Sequence, residues 1–154
     1  ARKKRVLLID LDPQSNSSMS FIDPVQVSSG SYELFTQPDT PLSDLVYKTE
    51  VEGVDLVPAR INLAKLEAKL IGDFDAAFRL RDRLKDMESA YDLILIDTPP
   101  TLGMITVNAL VAAKFVLVPI QSSYFARREL TTFWKRSRRY VPGLILISNC
   151  SVFL

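Results

Sequence analysis

The hydrophobic positions of this chain fall into two kinds of run. Five are short and continuous: Arg5–Asp10, Val54–Pro58, Leu93–Asp97, Phe115–Ile120 and Leu144–Ser148, all rich in Val, Ile and Leu. Runs without polar alternation belong to parallel strands covered on both faces. Between them the apolar residues recur at helical spacing. Leu63, Leu66 and Leu70 mark a helix over Ile61–Ile71, with Gly72 placed to stop it. Asp73 is positioned to cap the next helix, where Phe74, Ala77, Phe78, Leu84 and Met87 form an apolar stripe opposite Arg79, Arg83 and Lys85. Ser15–Gln37, rich in Ser, Pro, Asp and Gln, reads as a long surface loop with one short helix near Tyr32–Phe35, placed where a mobile switch could sit. This alternation of strands and helices predicts a three-layer α/β fold with a mainly parallel sheet, formed as a single domain over residues 1–154.

Two of the strands end alike. Val6-Leu7-Leu8-Ile9-Asp10-Leu11-Asp12-Pro13 and Leu93-Ile94-Leu95-Ile96-Asp97-Thr98-Pro99 each close on acid and then proline. Each therefore delivers a carboxylate to the carboxyl edge of the sheet, where open α/β sheets bind their ligands. Asp12 lies two residues beyond Asp10, so along a continuing strand both would share one face, and Pro13 ends the ladder. The functional reading makes Asp12 a carboxylate that orients or deprotonates an attacking water and Asp10 a support for a Mg²⁺ shell. Asp97 has the position of a Walker B acid, holding Mg²⁺ directly or through water. A single Asp–Pro step reads better as a loop cap without a ligand; two at matching strand ends favour the ligand.

Composition narrows the chemistry. With no histidine and only Cys150, an intrachain disulfide is excluded, and oxygen-ligand chemistry on a Mg²⁺–phosphate substrate is favoured over zinc, thiolate or histidine catalysis. A reducing compartment is expected. The 154 residues, 47% of them hydrophobic, suffice for one buried core. Arg2–Arg5 is basic, but the apolar run after it is broken by Asp10 and Asp12, unlike a secretory signal. Leu102–Ile120 contains Asn108, Lys114 and Pro119 and reads as helix then strand, not as a membrane span.

The formal charge of +1 hides an asymmetry. Arg127, Arg128, Lys135, Arg136, Arg138 and Arg139 face only Glu129, giving this segment +5 and leaving −4 for the rest. Such a segment could attract nucleic acid or an anionic membrane surface. Its apolar neighbours Leu130, Phe133 and Trp134 make a solvated helix face the slightly better reading of the residues alone.

The run Val6 to Ser18, with Asp10-Leu11-Asp12-Pro13-Gln14-Ser15-Asn16, closely resembles the second nucleotide motif of the ParA/Soj partition ATPases, within the deviant Walker A P-loop group that includes the septum-site MinD proteins. Tyr91 to Gln121, with Asp97-Thr98-Pro99-Pro100, Asn108-Ala109-Leu110 and Val118-Pro119-Ile120-Gln121, resembles that family's Walker B strand, the following helix and the next strand. Gly53-Val54-Asp55-Leu56-Val57-Pro58-Ala59 also matches in place and type. The resemblance covers roughly Arg5 to Ala126. Asp-Pro-Gln followed by Asn16 favours ParA over MinD, and the lone Cys150 sets the chain apart from the nitrogenase iron protein.

The resemblance implies a P-loop NTPase fold, Mg²⁺-dependent ATP hydrolysis, an ATP-bound homodimer that binds non-specific DNA, and stimulation by a DNA-bound ParB-type partner. It implies a cytoplasmic, nucleoid-associated protein with no membrane role. By motif position Asp12 orients the water, Asp10 lies near the metal and Asp97 is the Walker B acid. Gln121 lies near the nucleotide, Asn149 stands where the family has a base-contacting asparagine, and the basic segment Arg127–Arg139 is the candidate DNA surface.

Two departures qualify this. Phosphate binding in such folds uses a glycine-rich loop with a lysine, whereas the five glycines here, Gly30, Gly53, Gly72, Gly103 and Gly143, are isolated and none precedes a lysine. The family places that loop, its first strand and its first helix upstream of Ala1, and Ala1–Arg5 resembles the end of that helix. The chain is therefore expected to be a fragment or degenerate copy with negligible hydrolysis of its own. Beyond Ala126 the resemblance fades. A non-catalytic scaffold of the same fold is the main alternative. A receiver-type phosphoacceptor is disfavoured by the long separation of Asp10 and Asp97, and a nicotinamide dehydrogenase by the lack of a Gly-x-Gly-x-x-Gly motif.

Overall fold

The computed structural model describes residues 4–70, 72–73, 75–120 and 144–148. The chain divides into two compact units, Ala1–Ala112 and Ala113–Leu154. The first holds strands β1 (Val6–Asp10), β2 (Tyr47–Lys48), β3 (Val54–Val57) and β4 (Leu93–Asp97) in the spatial order β2-β3-β1-β4. β1 runs parallel to both β3 and β4, and only the two-residue β2 is antiparallel. In the second unit β5 (Val116–Ile120) and β6 (Leu144–Ser148) form a parallel pair, with Val116 opposite Leu144 and Ile120 opposite Ser148. The α/β class and the parallel character of the sheet are as the apolar runs predict. β2 escaped the sequence reading because two residues carry no periodicity.

Register explains the core. Leu7 lies opposite Ile94 and Ile9 opposite Ile96, so these side chains leave the sheet on one face. There Leu7 and Ile9 are fully buried with Leu34 and Phe35 of helix α2 (Ser31–Thr36), Leu66 and Leu70 of α3 (Leu66–Leu70), Leu80 and Leu84 of α4 (Arg79–Leu84), and Ile105 and Ala109 of α5 (Met104–Ala112). Each fully buried Leu or Ile contributes roughly 1.5–3 kcal/mol of transfer free energy. The alternate residues of β4 behave differently: Leu93 is 48% and Leu95 46% exposed. The cover expected on both faces is thus seen on one face of β4 among the described residues.

Three local expectations are revised. The helix expected over Ile61–Ile71 begins as a 3-10 turn, Ile61–Lys65, and becomes α-helical only at α3. Asp73 does accept the Asp75 amide, but the next element is a 3-10 turn, Ala76–Phe78, and α4 starts only at Arg79. That turn shifts the helical phase, so the buried stripe is Ala76, Leu80 and Leu84, while Phe78 is 39% exposed beneath the Arg81 guanidinium and Phe74 lies outside the described residues. Arg79 and Arg83, read as opposite the apolar stripe, donate to the carbonyls of Phe35, Pro38 and Thr40 and tie α4 to the α2 region. Ser15–Gln37, read as loop with one short helix near Tyr32–Phe35, holds that helix as α2 and adds a short helix over Asn16–Met19 and a 3-10 turn at Pro24–Gln26. Asp23 caps the 3-10 turn by accepting the Val25 amide, and Glu33 accepts the Gly30 amide at the start of α2.

No helix among the described residues is long and apolar enough to cross a membrane.

Candidate active site

The site grows from the ladder itself. β1 and β4 are neighbours in register, so Asp10 pairs with Asp97 at the last rung, and the Leu11 amide donates to the Asp97 carbonyl at 2.8 Å. Two acids from distant parts of the sequence thus meet at the carboxyl ends of parallel strands. Asp12 lies just beyond. Strand β1 stops at Asp10, and the chain turns at Pro13–Gln14. Asp10 is fully buried, whereas Asp12 is half-buried.

Each acid is held differently. Asp10 Oδ1 accepts the Asp12 amide at 2.9 Å, and Oδ2 accepts both the amide and the hydroxyl of Ser18, at 2.8 and 2.6 Å. Burial pushes the Asp10 carboxyl above the usual carboxylate range; the Ser18 and Asp12 hydrogen bonds oppose this, and the Asp97 charge adds to it. Asp12 Oδ1 accepts the Gln14 amide at 2.9 Å, an Asx turn that Pro13 makes possible. Asp97, also half-buried, accepts the Ser17 hydroxyl on Oδ2 at 2.6 Å.

The serines come from helix α1 (Asn16–Met19), entered through Ser15. Ser15 is a non-glycine residue at φ 58°, in the left-handed region, where its amide bonds the Asp12 carbonyl at 2.9 Å. Ser18 is nearly buried, and its Oγ also accepts the Ala59 amide at 2.8 Å, which links the end of β1 to the segment after β3. Ser31, fully buried at the start of α2, donates its hydroxyl to the Asp10 carbonyl and its amide to the Pro58 carbonyl. Gly30 precedes it because a Cβ there would sit 2.0 Å from the Pro58 carbonyl oxygen. Sequence reasoning missed Ser17, Ser18 and Ser31 as parts of the site. The available signal was the cluster of hydroxyls directly after the acid–proline step.

Beside Asp12 lies a cavity of about 330 Å³ walled by Pro13, Met19, Ile22, Val27, Ala59 and Ile61. A second cavity, about 440 Å³, is lined by residues at the amino ends of the strands, away from the acids. There Asp55 accepts from Lys48 Nζ at 2.7 Å and from the Tyr91 hydroxyl at 2.8 Å.

The donor set fits a hydrated hard cation that brings its own ligands. Among the described residues no three acids converge tightly enough to hold a metal by themselves. Asp97 with the adjacent Ser17 hydroxyl offers hard oxygen donors of the kind Mg²⁺ accepts alongside water and phosphate. Asp10, buried with both oxygens engaged, stands behind this pair. Gln121, Asn149 and the six basic residues Arg127, Arg128, Lys135, Arg136, Arg138 and Arg139 lie outside the described residues.

Residues 1–141 match the model of AAA_31, an AAA domain. The chain belongs to this family. Its relatives are of the ParA/Soj type, as the motifs predict. The AAA_31 chain is 38% identical over 130 residues to the "Chromosome partitioning protein ParA" of Myxococcus xanthus, covering 84% of itself and 46% of that protein. It is 38% identical over 129 residues to the "Sporulation initiation inhibitor protein Soj" of Bacillus subtilis, covering 83% of itself and 51% of that protein. The chain therefore spans about half the length of these relatives. Among solved structures, cobyrinic acid a,c-diamide synthase from Mycobacterium smegmatis with bound ADP and magnesium superposes with a TM-score of 0.82 at 32% identity, over 94% of this chain and 62% of that one. The α/β fold is that of the P-loop NTPases related to ParA.

Proposed function

We propose that this chain supplies the metal-binding and water-orienting acids of a ParA-like partition ATPase. The observation that carries the reading is the pairing of Asp10 with Asp97 on the last rung of β1 and β4, with Asp12 immediately beyond. In this reading Asp97 would hold Mg²⁺, directly or through water, on an ATP substrate, where the cation would supply charge neutralisation of the phosphates. Asp12, half-buried and fixed by its Asx turn, accepts a proton from, or orients, the attacking water. Asp10 supports the metal site from behind: Ser18 and the Asp12 amide saturate its carboxylate, which fixes the geometry of the turn. Gln121 and Asn149 contact the nucleotide. Arg127, Arg128, Lys135, Arg136, Arg138 and Arg139 attract non-specific DNA.

Phosphate binding needs more than these acids, which by themselves repel a polyphosphate. A glycine-rich loop with its lysine supplies that part in the complete ATPase, together with a strand beside the exposed Leu93 and Leu95 of β4. The complete protein dimerises on ATP, acts at the nucleoid and responds to a DNA-bound ParB-type partner. The M. xanthus and B. subtilis relatives support this reading through the partition role in the first one's name and their 38% identity to the chain.

The test is calorimetry and turnover. The 154-residue chain alone should bind Mg–ATP poorly and hydrolyse it negligibly. In a protein that also carries an upstream glycine-rich loop, Asp12→Ala should abolish hydrolysis and keep ATP binding. Micromolar ATP binding by the chain alone, or undiminished turnover in Asp12→Ala, overturns the assignment.

A further inference from the structure

Helix α5 begins without a cap of its own. The residue before it, Gly103, has no side chain to offer, and the first turn carries no acid. Its leading amides are satisfied from 37 residues away: Glu67 of α3 accepts the Met104 amide on Oε2 at 2.9 Å and the Ile105 amide on Oε1 at 3.1 Å. A carboxylate there also meets the positive end of the helix dipole. α3 holds it steadily, because Leu66 and Leu70 on the same short helix are buried in the core. Gly103 is fitted to this contact. Its φ is not in the left-handed region, so the backbone does not demand a glycine, but a Cβ there would collide with the Glu67 carboxylate.

We infer that Glu67 is a positioning residue for the Asp97 end of β4: by capping α5 it fixes the far end of the link formed by residues 98–102. The inference rests on Asp97 belonging to the ATP site of the proposed function. The near end of the link is set by the ladder, where the Leu11 amide holds the Asp97 carbonyl at 2.8 Å. Within the link Pro99 and Pro100 each lock φ and lack an amide donor, so the step is stiff. The Thr106 hydroxyl pins it further by donating to the Thr101 carbonyl at 2.6 Å. With a stiff middle and one end on the sheet, the direction in which the chain leaves Asp97 follows from where α5 starts, and Glu67 sets that start. A misplacement of about 1 Å at a reacting site costs on the order of 100-fold in rate, so a group that touches no substrate still governs turnover through placement.

The experiment has two arms. Hydrogen exchange on the 154-residue chain reads the cap, and turnover with ATP affinity in a protein that also carries an upstream glycine-rich loop reads the placement. In Glu67→Ala the Met104 and Ile105 amides should exchange at least about 10-fold faster. In the same variant kcat should fall roughly 10- to 100-fold while ATP affinity stays within about 2-fold. Gly103→Ala, which leaves Glu67 in place but displaces its carboxylate, should reproduce both effects, and the double variant should be no worse than Glu67→Ala alone. Glu67→Gln keeps one acceptor oxygen and should fall between Glu67→Ala and the parent in both arms. Unchanged exchange at Met104 and Ile105 in Glu67→Ala overturns the cap. Faster exchange with undiminished kcat overturns the positioning role, and so does a loss of ATP affinity as large as the loss of kcat. Each of these results leaves the roles of Asp97 and Asp12 standing. A parent protein without turnover fails the proposed function itself, and the inference falls with it.

Discussion

Ser18→Ala is the sharpest perturbation of the site, because one hydroxyl serves two buried groups. In the parent its proton goes to Asp10 Oδ2 at 2.6 Å and its lone pair takes the Ala59 amide at 2.8 Å. Asp10 is fully buried and Ala59 nearly so, so neither group can turn to water when the hydroxyl is removed. Losing a hydrogen bond to a charged acceptor costs about 1.5–3 kcal/mol, and leaving a buried amide unpaired costs about 1–3 kcal/mol. The two share one atom and do not add fully, so about 3 kcal/mol is the expected loss. At a urea m-value of about 2 kcal/mol/M, the unfolding midpoint should fall by about 1.5 M at pH 7.

The deficit should also depend on pH. The Asp10 carboxyl, pushed up chiefly by burial, releases its proton less readily in the folded than in the unfolded chain. Between the unfolded and folded pKa values the folded state therefore binds more protons, and stability falls as pH rises through that window. Removing the Ser18 donor moves the folded value further up and widens the window. The gap between parent and Ser18→Ala should then narrow on acidification from neutral pH towards the ordinary carboxylate range. A midpoint shift below about 0.3 M, or a gap that grows on acidification, would refute the reasoning.

Gly30→Ala should destabilise the chain by about 1–3 kcal/mol in the same urea assay, because its Cβ would lie 2.0 Å from the Pro58 carbonyl and force apart the Ser31 contacts to Pro58 and Asp10; an unchanged midpoint would show that α2 moves freely. Burial pushes the Tyr47 phenol up, but the hydroxyls and amides of Ser28 and Ser29 outweigh it and bring it down to about 8. Phenolate absorbance should therefore show one group titrating near pH 8 that Tyr47→Phe lacks. Because that value lies below the unfolded phenol's, the parent should gain stability over Tyr47→Phe as pH rises from 8 to 10, and a flat difference would reject the Ser28–Ser29 cradle. For the basic segment, DNA affinity should be sequence-independent and fall with salt at a slope of roughly −2 to −4 in log K against log salt. Arg136→Glu/Arg139→Glu should flatten that slope, and an unchanged slope would return the segment to a solvated helix face.

Much of the fold was legible because strands buried on at least one face announce themselves locally. Val6–Asp10, Leu93–Asp97 and their counterparts are continuous apolar runs, and an acid–proline step marks where two of them end. The motif around Asp10, Asp12 and Asp97 pointed to the family for the same reason: it is a local run of residue types at strand ends. What the sequence could not specify is set by contacts between residues far apart in the chain. The order β2-β3-β1-β4 places Asp10 against Asp97 through ladder pairing, which no local pattern encodes. A 3-10 turn at Ala76–Phe78 rotates α4 and exchanges which residues face the core, since the helical phase depends on where the helix starts. The different burial of Asp10 and Asp12 has the same origin. Ser18 holds the buried Asp10 carboxylate and is itself bonded by the Ala59 amide, Ser31 bonds the Asp10 backbone carbonyl, and a local Asx turn engages the half-buried Asp12. Strand ends and residue chemistry are short-range properties and can be read from sequence; which carboxylate is buried depends on long-range partners, and only the tertiary structure decides it.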